Sequence, residues 1–275
     1  MLNQKIAIQG IEGSNHHKVI RDFFKPNTRI QACTSFRDVV DALVNNQVDA
    51  SLMAIENSIA GSILPNYRLL IDAELQITKE FYLNISHNLV ALPNQSLHEI
   101  TSVKSHQMAL HQCGDFFSKH PHIRLIEDAD TALPAKQIAL QKEKNTAALV
   151  PKGTAELFGL EVIQPDVQDV DSNETRFVLL QKPTKRENVN ANKATLHFEL
   201  KHEQGSLAKM LSNMADFGMN LTKIQSIPIA NKKWNYAFIV DVRFQDINNF
   251  HKLIQLLKTT AEVVQILGLY KSGRI

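Results

Sequence analysis

The residues best equipped for chemistry stand in three short strings. The first is Ser172 to Leu180, SNETRFVLL, where a polar knot runs into an apolar strand. Side chains alternate along an extended segment, so Thr175 and Phe177 share one face while Glu174, Arg176 and Val178 share the other. The Thr175 hydroxyl therefore looks away from the neighbouring guanidinium, and an ion pair inside the fold is as natural a role for Arg176 as a grip on an anion. The second string is Glu56-Asn57-Ser58, with Gly61-Ser62 close behind, in IENSIAGSI after the apolar run DASLMAI. Polar groups at the carboxyl end of a buried strand are where ligands collect in open α/β sheets, although Asn and Ser also make ordinary turns and caps there. In the third, KIAIQ breaks at Gly10, and Gly13-Ser14 lead towards a helix expected from about His16 to Phe24. A strand, a glycine turn and a helix start can offer backbone N–H groups to an anion. No Walker sequence and no complete GxGxxG accompanies it. The adjacent His16 and His17 splay about a helix, which suits a surface or helix-start role better than metal ligation.

These strings need a scaffold, and 275 residues suffice for two domains. Hydrophobic content of 44% with 21% charged residues is that of a globular protein, which sets fibrous and disordered classes aside. Thirty Lys and Arg against 28 Asp and Glu, with no run of five like charges, argue against a nucleic-acid or membrane partner. The start lacks a secretory pattern and no apolar run spans a bilayer, so the expectation is a cytoplasmic location. Cys33 and Cys113 are far apart and outside any CxxC, which predicts two partly buried thiols without a disulfide or zinc site.

Apolar periodicity predicts a βα alternation. Strands are expected at 5–9, 29–33, about 49–55, 100–103, 123–126, 147–150 and 175–181. Helices are expected at 36–45, 65–72, 107–118 and 131–141, with Ser35 and Asp38 forming a capping box. The region LQITKEFYLNISHNLVAL reads as one or two strands. Two βα clusters joined by extended crossovers predict two lobes with a cleft. Pro183 to Lys193 is polar and aperiodic, hence a linker. Beyond it come a strand at 195–200, a helix at 207–217 closed by Gly218, strands at 221–227 and 234–243, a helix at 247–257 and a strand at 263–270. That order is βαββαβ, the ferredoxin-like split arrangement.

Four segments in this order resemble the prephenate dehydratase family: QGIEGS at 9–14, IENSIAGSI at 55–63, SHQMALHQC at 105–113 and NETRF at 173–177. GSLAKML at 205–211 and NLTKIQSIP at 220–228 resemble the two ligand-loop motifs of ACT regulatory domains. The resemblance implies an α/β protein: a two-lobed, periplasmic-binding-protein-like catalytic domain over 1–182, a linker over 183–193 and a ferredoxin-like ACT domain over 194–275. It implies a hydro-lyase that removes the ring hydroxyl and ring carboxylate of prephenate together, without metal or organic cofactor, and is feedback-inhibited by phenylalanine as a homodimer or homotetramer.

Carried over by motif, Thr175 hydrogen-bonds or protonates the leaving hydroxyl, and Glu56, Asn57 and Gln112 join it as catalytic candidates. Gly13, Ser14, Ser58, Gly61, Ser105, Arg176 and Phe177 are substrate-binding candidates. Gly205, Ser206, Leu207, Asn220, Leu221, Gln225, Ser226 and Pro228 are effector-binding candidates. A carboxylate at Glu56 repels a dianion, so it is expected protonated or set behind Asn57. The chain departs from the family at Gln107 and Met108, where Pro and Gln are usual. It departs at Ile11 and Ser14 in the first motif, at Gln204 before Gly205, and at Gln225 to Ile227 within QSIP, where ESRP is usual. Arogenate dehydration and a non-catalytic small-molecule sensor of the same fold are the alternatives.

Overall fold

The computed structural model describes residues 4–184, 188–229, 232 and 234–274, so residues 185–187 of the expected linker lie outside the described residues. The chain opens as β1 (Lys5–Gln9), α1 (Asn15–Phe23), β2 (Arg29–Cys33), α2 (Phe36–Val44) and β3 (Ala50–Asn57). Both helices start on serine. Ser14 Oγ accepts from His17 N at 3.3 Å, and Ser35 with Asp38 closes the expected capping box. After β4 (Gly61–Ser62) and α3 (Leu64–Asp72), the long extended region is two strands, β5 (Gln76–Asn84) and β6 (His87–Ala91).

Following β7 (Ser102–His106), the single helix expected over 107–118 is two short ones, α4 (Gln107–His111) and α5 (Gly114–Ser118). Asp169 causes the break. Its N–H donates to the Gln112 carbonyl at 2.8 Å and its Oδ1 accepts from Asp115 N at 3.0 Å, so groups that would continue the helical ladder are bound from outside. Next come β8 (Arg124–Asp128), α6 (Leu133–Gln141) and β9 (Thr146–Pro151). Helix α6 starts later than expected, after a turn in which Asp130 Oδ1 accepts from the N–H groups of Ala132 and Leu133, at 2.5 and 3.0 Å. Helix α7 (Thr154–Phe158) and β10 (Glu161–Gln164) were not anticipated, being too short to show a period. Then follow β11 (Glu174–Gln181), β12 (Lys193–Glu199), α8 (Ser206–Asp216), β13 (Asn220–Pro228), β14 (Tyr236–Arg243), α9 (Ile247–Thr260) and β15 (Val263–Tyr270). The last six give the expected βαββαβ order, and Gly218 closes α8 with φ +75°.

Two compact units result: Met1–Gly61 with Phe81–Phe177, and Ser62–Glu80 with Val178–Ile275. In the first, the strands run β11-β3-β1-β2, with β1 parallel to β2 and β3 and fully buried at Ile6, Ala7 and Ile8. A second sheet runs β10-β6-β9-β7-β8. Alternate residues of β6 and β9 feed cores on its two faces: Leu89 and Leu149 on one, Val90, Ala148 and Val150 on the other.

In the second unit the order is β13-β14-β12-β15-β5. Leu196, Phe198, Val240, Val242, Phe250 and Leu253 form its core under α8 and α9. Strand β15 lies parallel to β5 at Gly268 and Ile77, and only glycine fits there, since a Cβ would stand 2.6 Å from the Ile77 carbonyl oxygen. Lys193 Nζ binds both Glu80 oxygens, at 3.1 and 2.8 Å, and Glu80 Oε1 also accepts from Gly273 N at 3.0 Å. Lys223, on β13, reaches Ser62 Oγ at 2.5 Å and stands 5.6 Å from the centre of the Tyr67 ring.

Candidate active site

The carboxyl end of β3 and the start of β11 meet in one polar cluster, and alternation on both strands pairs its members. Asn57 Nδ2 donates to Thr175 Oγ1 at 2.9 Å and to Asn173 Oδ1 at 2.6 Å, with a longer contact to the Glu174 carbonyl at 3.4 Å. Asn57 Oδ1 accepts from Ile59 N at 3.0 Å and Ala60 N at 2.9 Å, an Asx turn that fixes which end of the amide faces Thr175. The hydrogen-bonding capacity of Asn57 is thus used within the protein. Thr175 Oγ1 is an acceptor in this contact, and its own hydrogen has no acceptor among the described residues. Ser58 ties the same strands together, its N–H donating to the Glu174 carbonyl at 2.8 Å and its Oγ accepting from Glu174 N at 2.9 Å. Gly61 is exposed with φ +80°.

Glu56 and Arg176 pair with each other, Nη1 to Oε2 at 3.4 Å, with the Arg176 side chain 3% exposed and that of Glu56 31%. The guanidinium that alternation turns away from Thr175 is thereby spent at least partly inside the fold, and the carboxylate beside Asn57 has a cation next to it. Phe177 is buried and meets His16 edge-on, ring centres 5.0 Å apart. His16 stands at the helix start, as expected, but is buried rather than on the surface. Its Nε2 accepts from Ala54 N at 3.3 Å, and burial drives its pKa down to about 3. The unfolded chain takes up a proton below about pH 6.5 and the folded one resists until about pH 3, so stability is complete above that window and is lost as pH falls through it. Between pH 6.5 and 5 the loss from this residue is expected to be about 2 kcal/mol. Urea titrations of the parent and of His16→Gln, whose amide oxygen can still accept from Ala54, will check this, and equal acid sensitivity in the two would refute it.

The turn before α1 is already occupied from within. Gly13 N donates to His17 Nδ1 at 3.0 Å and Ser14 N to the Ile11 carbonyl at 3.1 Å. These N–H groups are therefore not the open row of donors that an anion cradle needs. Gly13 has φ +92°, and a Cβ there would meet Thr154 Cγ2 at 2.8 Å, while Thr154 Oγ1 donates to the Gly13 carbonyl at 2.8 Å. Burial raises the Asp130 pKa against the pull of its three backbone donors, and lowers that of His17.

Gln112 lies at the α4–α5 break, its Oε1 3.0 Å from Nε2 of buried His87. The amide oxygen can only accept, so this nitrogen carries the hydrogen. Burial lowers the His87 pKa, opposed by that hydrogen bond. Ser105 is fully buried and donates to the Leu149 carbonyl at 2.7 Å, bracing β7 against β9. Met108 is 42% exposed. Cys33 and Cys113 are free thiols, the latter buried and pushed up to about 12. No group of three or more His, Cys, Asp and Glu among the described residues is placed to hold a metal ion, and no helix there is long and apolar enough to cross a membrane.

Among the effector candidates, Gly205 and Ser206 line a surface cavity of about 530 Å³ with Lys209, Thr259 and Glu262. Leu207 packs against the second unit's core. Asn220, Leu221, Gln225, Ser226 and Pro228 lie along β13, outside that lining, with Gln225 Nε2 donating to the Ser226 carbonyl at 2.9 Å. Sequence reasoning quoted Asn173 without giving it a role and passed over His87, Asp130 and Thr154. Their burial, and the long-range partners of Asn173, His87 and Thr154, leave no local pattern.

Comparison with known proteins shows the family. The prephenate dehydratase family model matches residues 6–185. The chain is 32% identical to the prephenate dehydratase of Methanocaldococcus jannaschii over 92% of each protein. It is 31% identical to the chloroplastic arogenate dehydratase/prephenate dehydratase 2 of Arabidopsis thaliana, covering 97% of this chain and 72% of that one. It is 30% identical to the bifunctional chorismate mutase/prephenate dehydratase of Buchnera aphidicola over 88% of its own length, and spans 64% of that relative. Among solved structures, the Arthrobacter aurescens prephenate dehydratase in complex with L-Phe superposes with a TM-score of 0.83 at 24% identity, covering 98% of this chain and 90% of that one. GqqA, titled a novel type of quorum quenching acylase, superposes at 0.87 with 25% identity, covering 98% and 99%. The chain belongs to the prephenate dehydratase family.

Proposed function

We propose that this chain is a decarboxylating hydro-lyase that converts prephenate to phenylpyruvate, carbon dioxide and water, under feedback control by phenylalanine. The observation that carries the reading is the Thr175 hydroxyl, held by Asn57 as an acceptor so that its hydrogen is available to a ligand. As the ring carbon–oxygen bond breaks, its electron pair leaves with the oxygen. The pair of the carbon–carboxylate bond enters the ring, which becomes aromatic, and carbon dioxide departs. One proton on the leaving oxygen completes water, so the balance closes without a redox partner. Thr175 supplies the hydrogen bond or proton to that oxygen, and Asn57 aims it. Glu56 and Arg176 act as a pair: Arg176 keeps the carboxylate from repelling the substrate dianion, and Glu56 keeps Arg176 from over-stabilising the carboxylate that must leave. Ser58 and Gly61 shape the loop above, Phe177 backs it through His16, and Gln112 with His87 supplies neutral contacts. Gly13, Ser14 and Ser105 serve by holding the surrounding elements in place.

In this reading residues 1–182 carry catalysis, 183–193 link, and 194–275 form an ACT domain. Copies pair as a homodimer or homotetramer in the cytoplasm. Phenylalanine then binds where the Gly205–Leu207 loop of one copy faces Asn220–Pro228 of another, a reading supported by the cavity edge at Gly205 and Ser206 and by the L-Phe complex of the Arthrobacter relative. A prephenate assay following phenylpyruvate, with and without phenylalanine, is expected to show turnover that phenylalanine lowers. No turnover of prephenate refutes the reading, and turnover of arogenate alone moves it to the reaction named for the Arabidopsis relative. The likeness to GqqA raises acyl-amide hydrolysis as a second reading. Against it, the Thr175 oxygen is bonded to an amide donor rather than to a base, so nothing described activates it as a nucleophile.

A further inference from the structure

Asn173 stands two residues before Thr175 and is 1% exposed. Its orientation is dictated by its neighbour. The Asx turn commits Asn57 Oδ1 to Ile59 and Ala60, so Nδ2 faces Asn173, and Asn173 must answer with its oxygen at 2.6 Å. The Asn173 carbonyl is fixed as well, accepting from Ile85 N at 2.7 Å. That leaves Asn173 Nδ2 buried, with no hydrogen-bond partner among the described residues. An unmet buried donor costs stability, and such groups persist where a ligand completes them. Here the donor belongs to the same amide cluster as Thr175, since Asn173 Oδ1 and Thr175 Oγ1 both bond one nitrogen of Asn57.

We propose that Asn173, through Nδ2, is a second hydrogen-bond donor to the oxygen that leaves the substrate, beside the Thr175 hydroxyl. This rests on the dehydratase reading. The leaving oxygen gains negative charge as the carbon–oxygen pair moves onto it, and two neutral donors held in advance stabilise that charge more than the starting alcohol. The carboxamide transfers no proton. Being uncharged, it adds no cation to hold back the departing carboxylate.

Two variants separate donor from scaffold. Asn173→Ala is expected to lower kcat about 100-fold. Asn173→Asp keeps the shape and an acceptor for Asn57 but loses the donor when ionised. Its kcat is expected to fall about 100-fold at pH 8 and to recover as pH falls, because a protonated carboxyl again presents a hydrogen. Asp171 and Glu174 flank the position, with Glu56 and Arg176 the next charges, and dividing by the parent's profile removes their common titration. Should Asn173→Ala fail to fold, Asn173→Asp carries the test alone, its fold checked by near-ultraviolet circular dichroism. Parental kcat in Asn173→Asp at pH 8, or a loss that is the same at every pH, overturns the donor role while leaving the dehydratase reading intact. A parent protein inert towards prephenate is the distinct result that removes both.

Discussion

Replacing Thr175 by alanine is expected to lower kcat about 1,000-fold while leaving prephenate affinity within a few-fold of the parent, in the range that loss of a positioned proton donor produces. The argument starts from a weakness: an alcohol is a poor acid, so its identity alone cannot supply such an effect. What the structure adds is polarisation. The amide of Asn57 donates to Oγ1 at 2.9 Å, and a donation onto the oxygen makes its own hydrogen the better donor. The site is buried, with Thr175 8% exposed, which strengthens both bonds. Thr175→Ser keeps the oxygen and should recover most of the rate, whereas Thr175→Val keeps the shape and should not. Isothermal titration with a substrate analogue separates binding from chemistry. A Thr175→Ala enzyme turning over within ten-fold of the parent would remove the assignment.

Loss of Lys193 is expected to cost the second unit roughly 3–5 kcal/mol, the range for breaking a buried ion pair by deleting one partner. Its side chain is 5% exposed and that of Glu80 is fully buried, with Nζ reaching both carboxylate oxygens. Lys193→Met fills the space but leaves the carboxylate without its lysine. The contacts from Gly273 N and Ser272 Oγ stay in place but carry no full charge to balance it. Glu80→Gln should cost less than Lys193→Met, because its amide oxygen can still accept from the ammonium. Urea unfolding followed by a probe in β12–β15 reads the difference. A Lys193→Met protein within 1 kcal/mol of the parent would falsify the view that this pair anchors the unit.

Local signals in the sequence carried a good part of this. Ser35 and Asp38 announced their capping box, Gly218 its left-handed turn, and the βαββαβ order was readable because each of its elements is long enough to show its period. Alternation also foretold that Thr175 and Arg176 diverge. It could not say that Asn57 and Glu56, alternating on the neighbouring strand, receive one each, because those pairs are some 120 residues apart. The same blindness hid the split of the 107–118 helix, made by Asp169 from half a hundred residues downstream. It also hid the burial of His16, which depends on Phe177 and Ala54 rather than on its neighbours. Polar residues with distant partners are invisible to periodicity, and sites are made of such residues.

The stretch Ser62–Glu80 lies early in the sequence yet belongs to the second compact unit. Lys223 holds Ser62, Gly268 admits Ile77, and Lys193 binds Glu80. The C-terminal module is therefore not a cassette. A gene fusion or recombination event that exchanged only residues beyond β11 would import a module lacking the strand and the carboxylate it is built around. Transplanting it intact means replacing an internal block as well. A lineage can thus refine this C-terminal module by point substitution far more readily than it can swap the module whole.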